Sequence, residues 1–262
     1  MYTRAKLYVF LKRYIRYTVI IPLVLIPIMF LFIVPIYNLT QKASTVFQYR
    51  TYYAKVNAPK LYNDIMPRTI NDTNDKFLNY EKIIIGDGEL VLKSPWLKIG
   101  NVTRSAQMEY YEISNNKYIV IMDRTGPFLI RSLLDQFIPQ YKYKVFDYFG
   151  EEIVLSDFKL ARSVISTKPK DLKPTMSKEE IGFRSGLISL EDYYLPDEAK
   201  NGIFEFNKED LSVIQFGDPN DKNDTRVVLE IFINEDHKYS IMLYNIDLKQ
   251  DEVDFVISSL EY

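Results

Sequence analysis

Apolar and polar positions divide the chain into three textures. Thr18 to Tyr37 is apolar at almost every position. Residues 38–58 are mixed, with few helix breakers. From Tyr80 onward short apolar runs alternate with turn residues. The first texture, TVIIPLVLIPIMFLFIVPIY, has no charge, and fourteen of its twenty residues are Leu, Ile, Val or Phe. At the rise of an α-helix it spans about 30 Å, the thickness of bilayer hydrocarbon. The pattern predicts a transmembrane helix over 18–37. Pro22, Pro27 and Pro35 would break a soluble helix but are tolerated in a membrane one. A cleaved signal would have a shorter apolar core and a small-residue cleavage site, and none follows Tyr37.

The flanks predict the orientation. Arg4, Lys6, Lys12, Arg13 and Arg16 precede the span, whereas only Lys42 and Arg50 follow it closely. The basic side stays in the cytoplasm, so the C-terminal part is expected to be extracellular. Residues 1–17 read as a cytoplasmic basic amphipathic segment with Leu7, Phe10, Leu11, Tyr14 and Ile15 on one face. Residues 38–63 read as a helical stalk, ended by Pro59 and Pro67.

Residues 64–262 carry the signals of an α+β domain, antiparallel hairpins packed with short helices. EKIIIGDGELVLKS predicts a hairpin turning at Gly86, Asp87 and Gly88. KYIVIMDRTG predicts a strand. Residues 127–138 have helical spacing, and a second hairpin is expected to turn at Gly150. A short helix over 156–166 takes Ser156 as its N-cap. The polar residues 166–180, with two prolines, offer a possible sub-boundary. Two strands are expected around Glu235, Asp236, His237 and Lys238, with Val227, Leu229, Ile231 and Ile233 on one face. A final helix is expected with Asp247 as N-cap and Gln250 completing a capping box; Val253, Val256, Ile257 and Leu260 form its apolar stripe.

Charge narrows the partners. Residues 1–63 hold nine Lys or Arg and no Asp or Glu; the rest holds 24 basic and 35 acidic residues, a net of −11. Phosphate would be repelled by such a domain, which argues against nucleic acid. The chain has no cysteine, which excludes disulfides, thiolate nucleophiles and zinc–thiolate sites, and in an exported domain points to a Gram-positive envelope.

Candidate chemistry is sparse. The single histidine, His237, is expected as an exposed turn residue. Two S-x-x-K strings, Ser114–Lys117 and Ser156–Lys159, match the spacing of a serine nucleophile with its lysine, but no accompanying motif is present. Asp218, Asp221 and Asp224 resemble a calcium loop without its central glycine. Glu191 with Asp192, and Glu151 with Glu152, are carboxylate pairs of adjacent residues, which a strand would turn to opposite faces. No catalytic, cofactor-binding or metal-ligating residue is assigned.

The run IIIGDGELVL, then SPW, then YIVIMDRTG, within Ile83–Gly126, resembles the extracytoplasmic part of uncharacterised membrane proteins of low-GC Gram-positive bacteria, loosely associated with maltodextrin utilisation. Members of that family also place an N-terminal span ahead of these strands. The layout is similar, too, to membrane-anchored immunity proteins that guard streptococci against exported toxins. The expectation is a single-pass, non-enzymatic binding protein of the cell membrane. It would engage a protein partner at the outer face, with immunity as one version. A subunit of a larger membrane complex and a tethered cell-wall hydrolase are the alternatives.

Overall fold

A long helix, α1 (Ile21–Val56), is followed by a sheet whose two faces build separate cores. The computed structural model describes residues 21–56, 64–70, 77–86, 88–97, 99–114, 116–124, 129–137, 156–220 and 225–262. The expected cytoplasmic segment 1–17, the end of the stalk, the hairpin at Gly150, and Glu151 with Glu152 lie outside these residues.

The main sheet has eight strands in the order β1-β7-β8-β9-β10-β6-β5-β4. They are β1 (Met66–Pro67), β4 (Asn101–Arg104), β5 (Met108–Ser114), β6 (Lys117–Asp123), β7 (Ile203–Lys208), β8 (Leu211–Phe216), β9 (Arg226–Ile233) and β10 (Asp236–Asn245). Every pairing is antiparallel except β1 with β7, so the sheet is mixed rather than purely hairpin-built. β2 (Glu81–Ile85) and β3 (Leu90–Ser94) form the expected hairpin, but as a separate two-stranded sheet. Gly86 and Gly88 turn it with φ of 61° and 96°, the left-handed region that glycine adopts freely. A Cβ at Gly86 would also stand 3.0 Å from Tyr239 Oη.

The period-two alternation of β9 and β10 sorts the two cores. Val227, Leu229, Ile231 and Ile233, with Ile241 and Leu243, face the β2–β3 hairpin and α5 (Gln250–Ser258). The stripe Val253, Val256, Ile257 and Leu260 closes that core, as its spacing predicts. Asp247 is not the cap, however. Lys249 occupies the N-cap, and its backbone N–H donates to Glu252 Oε2 at 2.9 Å. A buried polar chain fastens α5 to the sheet: Gln215 and Gln250 exchange amide hydrogen bonds at 3.0 and 3.1 Å, and Gln250 donates to Asp254 Oδ1 at 2.7 Å.

The opposite face packs Val228, Phe232, Ile214 and Phe216 against α2 (Leu129–Phe137), α3 (Asp157–Ser166) and α4 (Lys178–Tyr194). Ser156 caps α3 as expected, accepting from Lys159 N–H at 3.3 Å. The segment 166–180 is mostly ordered against the body: a 3-10 turn (Pro169–Asp171) precedes α4, and α3 and α4 on its two sides share one apolar cluster. Glu191 and Asp192 therefore stand on a helix and not on a strand.

Helix α1 runs unbroken from Ile21 to Val56, across the described part of the expected span and stalk. Among the described residues no helix is long and apolar enough to cross a membrane. Residues 18–20, and the side chains of 21–26 and 28–30, fall outside the description.

Candidate functional site

Two places concentrate chemistry. The first is a pocket of about 540 Å³ where the helical layer ends over β9, β10 and β6. Its floor comes from alternate positions of those strands, Arg226, Val228, Glu230, Ser240, Met242 and Met122, and one wall from the C-terminal end of α4 and the 3-10 turn Asp197–Lys200.

Glu230 is the centre of its polar floor. Ser240 Oγ donates to Glu230 Oε2 at 2.6 Å, and His237 Nε2 meets the same oxygen at 2.5 Å. Arg124 Nε donates to Ser240 Oγ at 3.0 Å. Behind His237, its backbone N–H reaches Asp157 Oδ2 at 3.3 Å, and Asp157 is bound by Arg131 at 2.7 Å. Arg226 pairs with the buried Glu198. Burial first, then the negative charges of Glu230 and Asp157, hold the Tyr194 phenol well above its ordinary pKa, so it stays neutral.

The arrangement is not that of a serine nucleophile. Ser240 is fully buried, and both its hydroxyl and the His237 ring address the carboxylate. A serine triad needs the order hydroxyl, imidazole, carboxylate. Arg124, exposed at the rim, has no carboxylate partner among the described residues, so the pocket presents a cation at its mouth.

His237 corrects an expectation. It is 8 % exposed and lies in β10, because the turn is only Asn234 and Glu235, both at positive φ (52° and 68°). A two-residue turn of that hand starts β10 at Asp236 and sets His237 opposite Phe232. Of the two S-x-x-K strings, Ser114–Lys117 closes the β5–β6 hairpin and Ser156 is a helix cap. Asp218 accepts from Asn220 N–H at 2.9 Å, while Asp221 and Asp224 lie outside the described residues. No cluster of three or more His, Asp or Glu among the described residues could hold a metal.

The second place is the attachment of α1. Residues 31–41 are exposed on every side, Leu31 at 70 %, Phe32 at 64 % and Ile36 at 62 % among them. One turn later the helix becomes one-sided. Lys42, Val46 and Arg50, each four residues apart, share a face. Val46 is buried among Leu172, Ile181 and Ile188. Lys42 Nζ donates to Met176 O at 3.0 Å. The Arg50 guanidinium gathers three carbonyls, Pro169 at 3.2 Å, Lys170 at 2.8 Å and Leu172 at 2.7 Å.

No family model, curated protein or solved structure matches this chain. The resemblance drawn over Ile83–Gly126 therefore rests on those residues alone.

Proposed function

We propose that this chain is a single-pass membrane protein whose α+β domain lies outside the cell and binds a protein partner at the outer membrane face. The observation that carries the reading is the change of character along α1. From Leu31 to Leu39, about two and a half turns, large apolar side chains face outward all round with no described neighbour; from Lys42 to Arg50 the same helix packs by one stripe. Leaving Leu31, Phe32, Ile33, Val34, Ile36 and Leu39 in water forgoes on the order of 10 kcal/mol of burial. Lipid covers such a surface without needing a complementary shape. The uncharged run from Thr18 extends it to a full span, and the basic flank of residues 4–16 sets the N-terminus inside.

Binding is favoured over catalysis because the polar groups on the pocket floor satisfy one another, leaving a rim cation beside the apolar floor residues Met122, Val228 and Met242. Anchoring raises the effective concentration of the domain at the membrane, so a modest intrinsic affinity suffices. Protease added to intact cells is expected to degrade the domain, and alkaline carbonate to leave α1 in the membrane fraction. A domain that stays intact while a known surface protein is digested would overturn the placement. For the binding role, Arg124→Glu at the pocket rim is expected to abolish capture of a partner that the unaltered membrane-bound protein retains.

A further inference from the structure

The geometry points to a second membrane attachment: the turn Lys173–Lys178 sits in the headgroup layer beneath the domain and binds anionic lipid through Lys173 and Lys178. This inference rests on the reading of α1 as the anchor.

The argument is a matter of height along α1. If the hydrocarbon ends at Tyr37, Lys42 lies five residues higher, about 7.5 Å at the helical rise. The polar layer of each leaflet is about 5–8 Å thick. Lys42 is therefore at headgroup level, and its ammonium holds the carbonyl of Met176 at 3.0 Å. Arg50 is about 12 Å higher and holds the carbonyls of 169–172. The chain from Leu172 to Met176 thus descends toward the bilayer, and its lowest part is the turn.

The charges of that turn differ from those of the domain. Lys173, Thr175, Ser177 and Lys178 are exposed, and Lys42 adds a third cation. Of the nearby acids, Glu180 is paired with Arg184 at 3.1 Å, while Asp171 keeps its charge and accepts from the Lys168 backbone N–H at 2.8 Å. Glu179 is the exposed acid that opposes them. A domain with a net charge of −11 is on the whole repelled by an anionic bilayer, so contact is favoured at a cationic patch such as this one. Attraction at the turn and repulsion elsewhere would fix the domain in one orientation, with the pocket carried at a set height.

Because the chain has no cysteine, Thr175→Cys gives a single labelling site on the turn. The full chain carrying a fluorophore there is placed in nanodiscs of phosphatidylcholine, alone or mixed with phosphatidylglycerol, each with a headgroup-attached quencher. Quenching is expected to be stronger in the anionic discs and to weaken with added salt. Lys173→Glu with Lys178→Glu should remove that difference, while Trp96 emission reports an intact fold. Each lysine at an anionic surface is worth roughly a five-fold preference, so the pair should give about twenty-five-fold. Equal quenching in the two lipids, with the protein firmly inserted, would overturn this inference and leave the anchor standing. Protein that never enters the discs would overturn both.

Discussion

Lys168 and Glu191 form a buried ion pair at 3.0 Å, with side chains 9 % and 7 % exposed. Burial raises the Glu191 pKa, and the neighbouring Lys168 only partly counters it. The folded state thus holds this proton more tightly than the unfolded chain does. Stability from this group falls as pH rises from the ordinary carboxylate value through the raised one. Lys168→Met leaves the carboxylate alone and should cost about 3–5 kcal/mol at neutral pH, with a steeper loss as pH rises. Lys168→Met with Glu191→Leu should recover most of that cost, since the desolvation of both charges disappears. Urea unfolding of the three proteins across pH distinguishes these outcomes; a double variant as weak as the single one would contradict the account. Tyr194 gives a companion test in alkali. Its raised pKa makes the folded state resist deprotonation, so stability drops above about pH 10, where unfolded tyrosine ionises. Tyr194→Phe should flatten that drop in a thermal melt series.

At the scale of elements, the attachment of α1 consists, among the described residues, of one buried valine and two cationic side chains bonded to carbonyls. Hydrogen bonds to a charged group are worth about 1.5–3 kcal/mol each, and the Arg50 bonds share one guanidinium. Arg50→Ala should free the stem while leaving the domain folded. Hydrogen exchange of residues 42–50 should then rise at least ten-fold, with little change in the melting temperature of the sheet; unchanged exchange would show that Val46 and Lys42 hold the helix without Arg50. The same scale shows what could be read in advance. α3 was legible from its Ser156 cap, α5 from its apolar stripe though not its cap, and the β2–β3 hairpin from its turn glycines. α4 was not. Gly182 and Gly186 lower its helix propensity, and its buried face includes Arg184, Ser185 and Glu191 beside the apolar residues, which blurs the stripe. β7 and β8 carry a readable alternation around the short turn Glu209 and Asp210, and that signal would have found them.

For the whole molecule, one sheet serves two cores. Strands β7 to β10 bury side chains on both faces, one against α5 and the β2–β3 hairpin, the other against α2 to α4. Neither core can come apart without stripping the sheet from the other, so unfolding should be a single cooperative event. Trp96, the single tryptophan, is buried in the first core and donates to Glu252 Oε1 at 2.7 Å. Its emission should shift at the same denaturant concentration at which the far-ultraviolet circular dichroism of the helices packed on the second core is lost. Two separated transitions would mean the cores unfold independently. The candidate pocket belongs to this scale. Its floor joins strands β6, β9 and β10 to the end of α4, groups spread from Met122 to Met242 in sequence. Single residues gave little hint of it: His237 read as a turn residue because only the two-residue turn and the register against Phe232 carry it inward.

What the sequence determined by itself were the properties that depend on near neighbours: the apolar run from Thr18, its basic flank, the α+β class, and the faces of β9 and α5. Periodicity and charge order are local, and helix or strand geometry turns them directly into faces. Only the tertiary structure decided the parallel β1–β7 pair, the gathering of Arg124, Glu230, His237 and Ser240, and the clasp of Arg50 on carbonyls some 120 residues away. Those depend on which distant segments meet, and loop closure between them leaves no mark on local pattern.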